Sequence, residues 1–464
     1  MVTVSMGPPT PPPCLGENLR APVDTVNRAF HGWGLRPYTL ISEMRARMGR
    51  QERRREAKLG KGQGGAAIAG LLEAALGHHR AGRLAMAEKT YRRALALDPD
   101  DPTANHLVGL IAYQEGRYKE ALGLITRATE VAPSYAEAHH NLGNLYLDSK
   151  KHPEALECYD RALALNPDYA SALANKGDAL RGLGRLDDAT VALRRAIALD
   201  PFVKEPRYRL AATLISLDRP AEALDSANEC IAFEPFCQNA WAYRGTALQL
   251  LDKQAEFEQF LKLSDVVWTA RPPVPAGFDS LEAWNAALEA AVRTHPTLVW
   301  EPFQRVSYGG SVTGDMLVRP ERTMQLFEGS LRRAIDELKA SLPDSQSHPF
   351  LARKPNTYRI TVVASILKAG GWHPTHTHEG AWLSGCYYVR VPSVVGSAGG
   401  GKAGQIEFGR PDCKLREGFE PPLSAVKPEP GLAAFFPSYL FHGTIPFEGD
   451  EERVGIAFDV YPTG

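Results

Sequence analysis

The 464-residue chain has no run of about 18 or more apolar residues, the length that a membrane-spanning helix requires. It also has no CxxC pair and no regular cysteine framework. Its six cysteines (Cys14, Cys158, Cys230, Cys237, Cys386 and Cys413) are scattered along the chain. That scatter argues against a secreted disulfide scaffold and for free thiols in a reducing compartment, with the cytoplasm as the expected location. An excess of charge is missing too, since 53 Lys and Arg stand against 54 Asp and Glu for a net charge of −1. No overall field points to nucleic acid or a membrane as partner. The first residues lack the charged-then-apolar pattern of a secretory leader, because Pro8, Pro9, Pro11, Pro12 and Pro13 interrupt them. What remains is ordinary globular composition, 44% hydrophobic and 23% charged, in a chain long enough for about two or three domains.

Residues 1–66 carry little folding information. A proline-rich start leads into a basic run from Arg45 to Lys61, and the segment is expected to be a solvated, disordered lead. From 68 the sequence repeats with a period of 34 residues. Prolines recur at 99, 133, 167, 201 and 235. Small residues recur in step with them, as Ala87, Ala121, Ala155, Ala189 and Ala223, and as Ala75, Gly109, Gly143, Gly177, Ala211 and Gly245. Small residues at fixed points of two apolar-periodic segments let paired helices approach closely, and the proline ends each second helix.

The unit containing NLGNLY (141–146), Ala155, Tyr159, Ala162 and Pro167 resembles the tetratricopeptide repeat. Five units are expected, at 68–101, 102–135, 136–169, 170–203 and 204–237, with closing helices over 238–270. The resemblance implies an all-α superhelix whose groove binds a protein or peptide partner.

The segment RPPVPAG (271–277) breaks the helices. A helix is expected from Ser280, its N-cap, to about Arg293, and another from about Pro320 to Ala340. Beyond Thr357, β-branched and aromatic runs alternate with Gly/Pro turns: 358–367, 382–391, 404–409, 431–438 and 453–462. Such spacing indicates a β-sandwich or barrel.

Within this region, GGWHPTHTHEGAWLSGCYYVRVP (370–392) places His376 and His378 one residue apart. On an extended backbone both point the same way, so both imidazoles can face one site. His442 follows in FFPSYLFHGTIPFEGDEER, and Arg453 opens the last strand. Two ligands close together plus a distant third suit a facial metal site with open coordination positions. GSAGGGK (396–402) mimics a phosphate loop but has Ala403 where Ser or Thr is needed, and a strand where a helix is needed. It reads as a flexible loop.

The HxH…LSG-x-YYV…P segment, followed by G-x-I-x-F-G, FPS-x-x-x-H and Arg, resembles the 2OG-Fe(II) oxygenase family. QRVSYGGSVTG (304–314) and HPF (348–350) extend the likeness to roughly 275–464. The resemblance implies an α+β domain with a double-stranded β-helix (jelly-roll) core, Fe(II) as metal, and 2-oxoglutarate and molecular oxygen as cosubstrates. His376 and His442 match the iron ligands. Arg453 matches the residue that grips the distal carboxylate of 2-oxoglutarate, to which a guanidinium offers a bidentate fork. Alternation allows only one of Tyr387 and Tyr388 to join it, and Ser384 is a further candidate contact or a packing residue. His378 stands where the wider superfamily has Asp or Glu, so the third ligand is His378 or a carboxylate such as Glu379. His373 is near enough to support the site, or lies on a surface loop. The implied activity is hydroxylation coupled to oxidative decarboxylation of 2-oxoglutarate. The competing reading is a non-catalytic tetratricopeptide scaffold with a degenerate jelly roll.

Overall fold

A computed structural model describes residues 63–301, 307–395 and 401–463. The expected disordered lead lies outside the described residues as far as 62, and its last four residues open a helix instead. Most of the glycine-rich 396–402 loop is also outside them.

Helices fall in pairs on the 34-residue period. They are α1 (Gln63–Arg80) with α2 (Leu84–Leu97), α3 (Pro102–Gln114) with α4 (Tyr118–Val131), and α5 (Ala136–Asp148) with α6 (His152–Leu165). Then come α7 (Ala170–Gly182) with α8 (Leu186–Leu199), α9 (Glu205–Ser216) with α10 (Pro220–Phe233), and α11 (Gln238–Leu250) with α12 (Gln254–Leu261). Each second helix from α2 to α10 stops two residues before a proline of the 34-step series. The residue before a proline is pushed out of the helical region, which sets that end. The turn within each pair is equally regular. Gly82, Gly116, Lys150, Gly184, Asp218 and Asp252, spaced 34 apart, all have positive φ. Only three of these are glycine, so Lys150, Asp218 and Asp252 hold a left-handed conformation that L side chains adopt at some cost.

The glycine series has a direct packing cause. A Cβ on Gly143 would stand 2.6 Å from the Tyr159 ring, and one on Gly177 would stand 2.7 Å from Leu193. In the pairs that carry Gly109, Gly143 and Gly177, the two helices therefore meet where one has no side chain.

The chain divides into two compact units between Asn141 and Leu142. Among the described residues, the first buries four histidines: His79, His106, His139 and His140. His106 is enclosed, with Nδ1 2.6 Å from the Tyr135 hydroxyl and Nε2 2.8 Å from Asn141 Nδ2. Burial pushes His106 and His140 down to about 3, and His79 down to about 4.

The second unit continues through the later helices into a β-rich region with a jelly-roll character. A short helix α13 (Leu263–Val266) is followed by strand β1 (Trp268–Ala270), which pairs with Ala433–Phe435. The closing helices expected to run to 270 thus give way to a strand. Val267, Trp268 and Thr269 are β-branched or aromatic, and they meet an open sheet edge. The remaining strands are β2 (Val299–Trp300), β3 (Tyr308–Val312), β4 (Tyr358–Trp372), β5 (Leu383–Arg390), β6 (Ile406–Phe408), β7 (Ser424–Val426), β8 (Ala433–Pro437), β9 (His442–Thr444) and β10 (Arg453–Pro462). They form a seven-stranded sheet in the order β1-β8-β5-β10-β4-β3-β2 and a three-stranded sheet in the order β7-β6-β9. Helices α14 (Leu281–Thr294) and α15 (Arg322–Ser341) match the two expected ones. Ser280 caps α14, its Oγ accepting from the Ala283 amide at 3.1 Å.

Alternation along β10 assigns the faces. Val454, Ile456, Phe458 and Val460 join the same apolar cluster as Trp284, Leu288, Phe327 and Leu331 of the two helices. The opposite face, carrying Arg453, Gly455, Ala457 and Asp459, looks into the jelly roll.

Two outcomes follow. Gly143→Ala should destabilise the chain by about 1–3 kcal/mol in denaturant unfolding, because Tyr159 must move to admit the methyl group. An unchanged midpoint would contradict the packing account. The unfolded chain protonates histidine near pH 6.5, whereas in the folded chain His79, His106 and His140 do so only near 3 to 4, so unfolding takes up protons. Stability is complete above pH ~6.5 and declines on acidification, by up to about 1.4 kcal/mol per histidine per pH unit. Thermal melts from pH 7.5 to 5 should show this slope, and His106→Gln should flatten it.

Candidate metal centre

The segment joining β4 to β5 carries no regular strand, and it is pinned onto β9 by an isolated bridge. His376 N donates to His442 O at 3.0 Å, and His442 N donates to His376 O at 3.1 Å. His378 N donates to Ser438 O at 2.9 Å. Gly443 makes the approach possible, since a Cβ there would come within 3.0 Å of His373 O. Backbone pairing thus joins residues more than sixty positions apart in sequence.

The three imidazoles meet at one point. His376, His378 and His442 each place a ring nitrogen within 4.8 Å of the others, and their ring centroids are 4.4 to 5.0 Å apart. Each Nδ1 is already used. His376 Nδ1 lies 2.7 Å from Pro374 O, His442 Nδ1 lies 2.9 Å from Leu440 O, and His378 Nδ1 lies 2.9 Å from Asp459 Oδ2. All three acceptors oblige Nδ1 to carry the proton, which leaves every Nε2 as a lone pair. Two such lone pairs, on His378 and His442, face each other at 3.1 Å. They repel unless a cation, either a proton or a metal ion, sits between them.

Charges near the site agree with this. Burial, reinforced by His378, pushes His376 down to about 3. Burial and the other two histidines hold His442 well below its ordinary value. For His378, burial opposes the cation, but the Asp459 carboxylate overrides it and raises the pKa. Asp459 is held low by His378 despite its own burial. The donor set fits a divalent borderline metal such as iron: three neutral imidazoles, with a carboxylate behind one of them.

Asp459 escaped sequence reasoning. It supplies a carboxylate behind the triad, bonded to His378 rather than placed among the three imidazoles. The signal was present, because an acidic residue six positions after Arg453 shares its face in an otherwise apolar strand. Ser384 serves Asp459, with its Oγ donating to Oδ1 at 2.6 Å and lying 2.8 Å from Ser438 Oγ. Ser384, expected as a cosubstrate contact or a packing residue, thus has its hydroxyl bonded to the carboxylate.

Glu379 is engaged elsewhere. Its Oε1 accepts from Lys204 Nζ at 2.5 Å and its Oε2 from Asn239 Nδ2 at 2.9 Å, so the alternative of Glu379 in the triad is not realised. His373 stays outside the triad, with Nε2 3.2 Å from Ser365 Oγ.

Arg453 is buried at 4% exposure and donates to Gly404 O at 3.0 Å. The acidic residues beside it are otherwise occupied, Glu452 by Arg293 and Glu451 by Ser393. Among the described residues no carboxylate pairs with Arg453. A buried guanidinium without an anion is costly. Tyr388 lies beside it, its ring centroid 5.1 Å from the guanidinium carbon. The Tyr388 hydroxyl is buried without a hydrogen-bond partner among the described residues. Burial raises its pKa against the influence of Arg453, so it stays a donor.

Tyr387 is excluded from this group. Alternation turns it to the helix side, where its hydroxyl donates to Asn285 Oδ1 at 2.7 Å. Phe408 and Phe436 complete an apolar wall beside His442.

A family model described as "Putative 2OG-Fe(II) oxygenase" matches residues 362–459. Tetratricopeptide repeat models match 72–136 and 176–235, 136–169, and 158–190. No curated protein matches the chain. Similar solved structures include one of Pseudomonas aeruginosa pilF, 16% identical over 42% of this chain and 90% of that one, with a TM-score of 0.38. Another is TTC0263, a tetratricopeptide protein of Thermus thermophilus, 24% identical over 39% of this chain and 100% of that one, with a TM-score of 0.33. A third is YrrB, a tetratricopeptide protein with an unusual peptide-binding site, 21% identical over 36% of this chain and 92% of that one, with a TM-score of 0.32. Among the described residues, no helix is long and apolar enough to cross a membrane. The chain thus joins tetratricopeptide repeats over residues 72–235 to a region, residues 362–459, that matches the family described as "Putative 2OG-Fe(II) oxygenase".

Proposed function

We propose that residues 275–464 form an Fe(II)- and 2-oxoglutarate-dependent oxygenase acting as a hydroxylase, and that the repeats over 68–270 bind a protein or peptide partner in the cytoplasm. One observation carries the proposal: three Nε2 lone pairs converge inside the same jelly roll as a buried, anion-free Arg453. When bound, iron with 2-oxoglutarate and molecular oxygen supplies oxidative decarboxylation of the ketoacid to succinate and CO2, coupled to hydroxylation of a substrate.

The chain's own residues have distinct parts in this. His376, His378 and His442 hold the metal through Nε2. Asp459 keeps the His378 proton on Nδ1 and returns negative charge that a three-histidine set lacks. Arg453 takes the distal carboxylate of 2-oxoglutarate, and the adjacent Tyr388 hydroxyl has a hydrogen bond to offer it. Phe408 and Phe436 exclude water from one side.

Uncoupled turnover tests this without the true substrate. The Fe(II)-loaded protein should form succinate from 2-oxoglutarate, and His442→Ala should abolish it. Arg453→Ala should raise the KM for 2-oxoglutarate by about ten- to a hundredfold, the loss of a charge-assisted bond. Absence of turnover, metal binding and 2-oxoglutarate binding would overturn the proposal and favour a scaffold.

A second outcome concerns Asp459. Asp459→Asn should weaken metal binding by about 10–100-fold in calorimetric titration, as loss of a ligand-orienting carboxylate does elsewhere. Unchanged affinity would remove Asp459 from the site.

A further inference from the structure

The irregular segment that carries the histidine pair is fastened from outside the jelly roll. Thr377 Oγ1 donates to Asn239 Oδ1 at 2.7 Å. Glu379 accepts from Lys204 Nζ at 2.5 Å and from Asn239 Nδ2 at 2.9 Å. Gly380 N donates to Gln238 Oε1 at 3.0 Å, and Gln238 Nε2 donates to Ala381 O at 2.6 Å. Every residue from 377 to 381 except His378 therefore bonds to at least one of three residues of the helical array, Lys204, Gln238 and Asn239. His378 instead bonds Ser438 and Asp459.

These partners are well fixed. Gln238 and Asn239 open α11, and Lys204 immediately precedes α9. Gln238 is 3% exposed, and its amide makes a two-way clasp that a hydrophobic contact would not orient. Asn239 bridges Thr377 and Glu379, residues that flank His378 on both sides. No sheet ladder fixes this stretch, whose regular structure is limited to the single bridge at His376. Its conformation is set by the bridge, by Ser438, and by the side chains of the helical array.

We propose that Lys204, Gln238 and Asn239 are positioning residues for the metal centre, so that the repeats act in cis to set the geometry of the His376–His378 pair. This rests on the metal-site reading of the triad given above. An ion pair between two surfaces would hold domains together whatever lay behind it. Here the bonds go to the residues between and beside two ligands. A shift of α9 or α11 on binding a partner would then change metal affinity, and metal binding would change partner affinity by the same factor.

The test uses the full chain, with Fe(II) titrated anaerobically, Co(II) as a spectroscopic probe of ligand geometry, and melts of the metal-free protein. Asn239→Ala and Lys204→Met should each weaken Co(II) and Fe(II) binding by about tenfold, the lower end for residues behind a ligand shell. They should also alter the Co(II) visible bands. Thr377→Ser should retain wild-type binding, whereas Thr377→Val should behave like Asn239→Ala. Arg194→Ala, which removes an exposed pair with Glu222 on the array, should change neither property. If the wild type binds metal and the variants match it in affinity and spectrum, the inference fails while the metal centre stands. If the wild type binds no metal, both fail. Should Asn239→Ala not fold, Lys204→Met decides the outcome.

Discussion

The site depends on one electrostatic constraint: three imidazoles brought together with their Nδ1 protons already spent. Pro374 O, Leu440 O and Asp459 each claim one. What faces inward is lone pair against lone pair, an arrangement that burial makes expensive and that a cation relieves. Backbone pairing between His376 and His442 prevents relaxation by drift. The jelly roll supplies the framework, and Gly443 and the β4–β5 segment provide the close approach that brings the third ring in.

The substitution of His378 for a carboxylate is less radical than it looks in sequence. Its negative charge has moved outward by one residue's length, to Asp459, which Ser384 and Ser438 support. A carboxylate bonded to a ligating imidazole raises that ligand's basicity and fixes its tautomer. Arg453 presents the mirror-image problem, a buried cation whose acidic neighbours in sequence are bonded elsewhere. The two features, of opposite chemical need, are linked through β10, whose inward face carries both Arg453 and Asp459, the carboxylate bonded to His378.

Much of this was legible in the sequence. The 34-residue period registers because helices packed across Gly143 and Gly177 tolerate no side chain there, so the constraint is written in residue type. The HxH pair, His442 and Arg453 are legible because strand alternation and ligand chemistry restrict both identity and spacing. The choice between Tyr387 and Tyr388 was not, since it depends on which face of β5 the helices α14 and α15 cover. Asp459 sits in a strand whose apolar pattern hides it, and its role needs the register that places it opposite Ser384. The contacts of Lys204, Gln238 and Asn239 cross more than 130 residues and obey no local pattern. Strand β1 likewise depends on an edge that only the folded β8 provides.

The most direct measurement is the anaerobic addition of 2-oxoglutarate to Fe(II)-loaded protein, followed by visible absorption. Chelation of the ketoacid at iron should produce a charge-transfer band. The band should be lost in His442→Ala, and in Arg453→Ala it should need much more 2-oxoglutarate. A protein that binds Fe(II) but shows no band at saturating 2-oxoglutarate, or a band indifferent to both residues, would contradict the account.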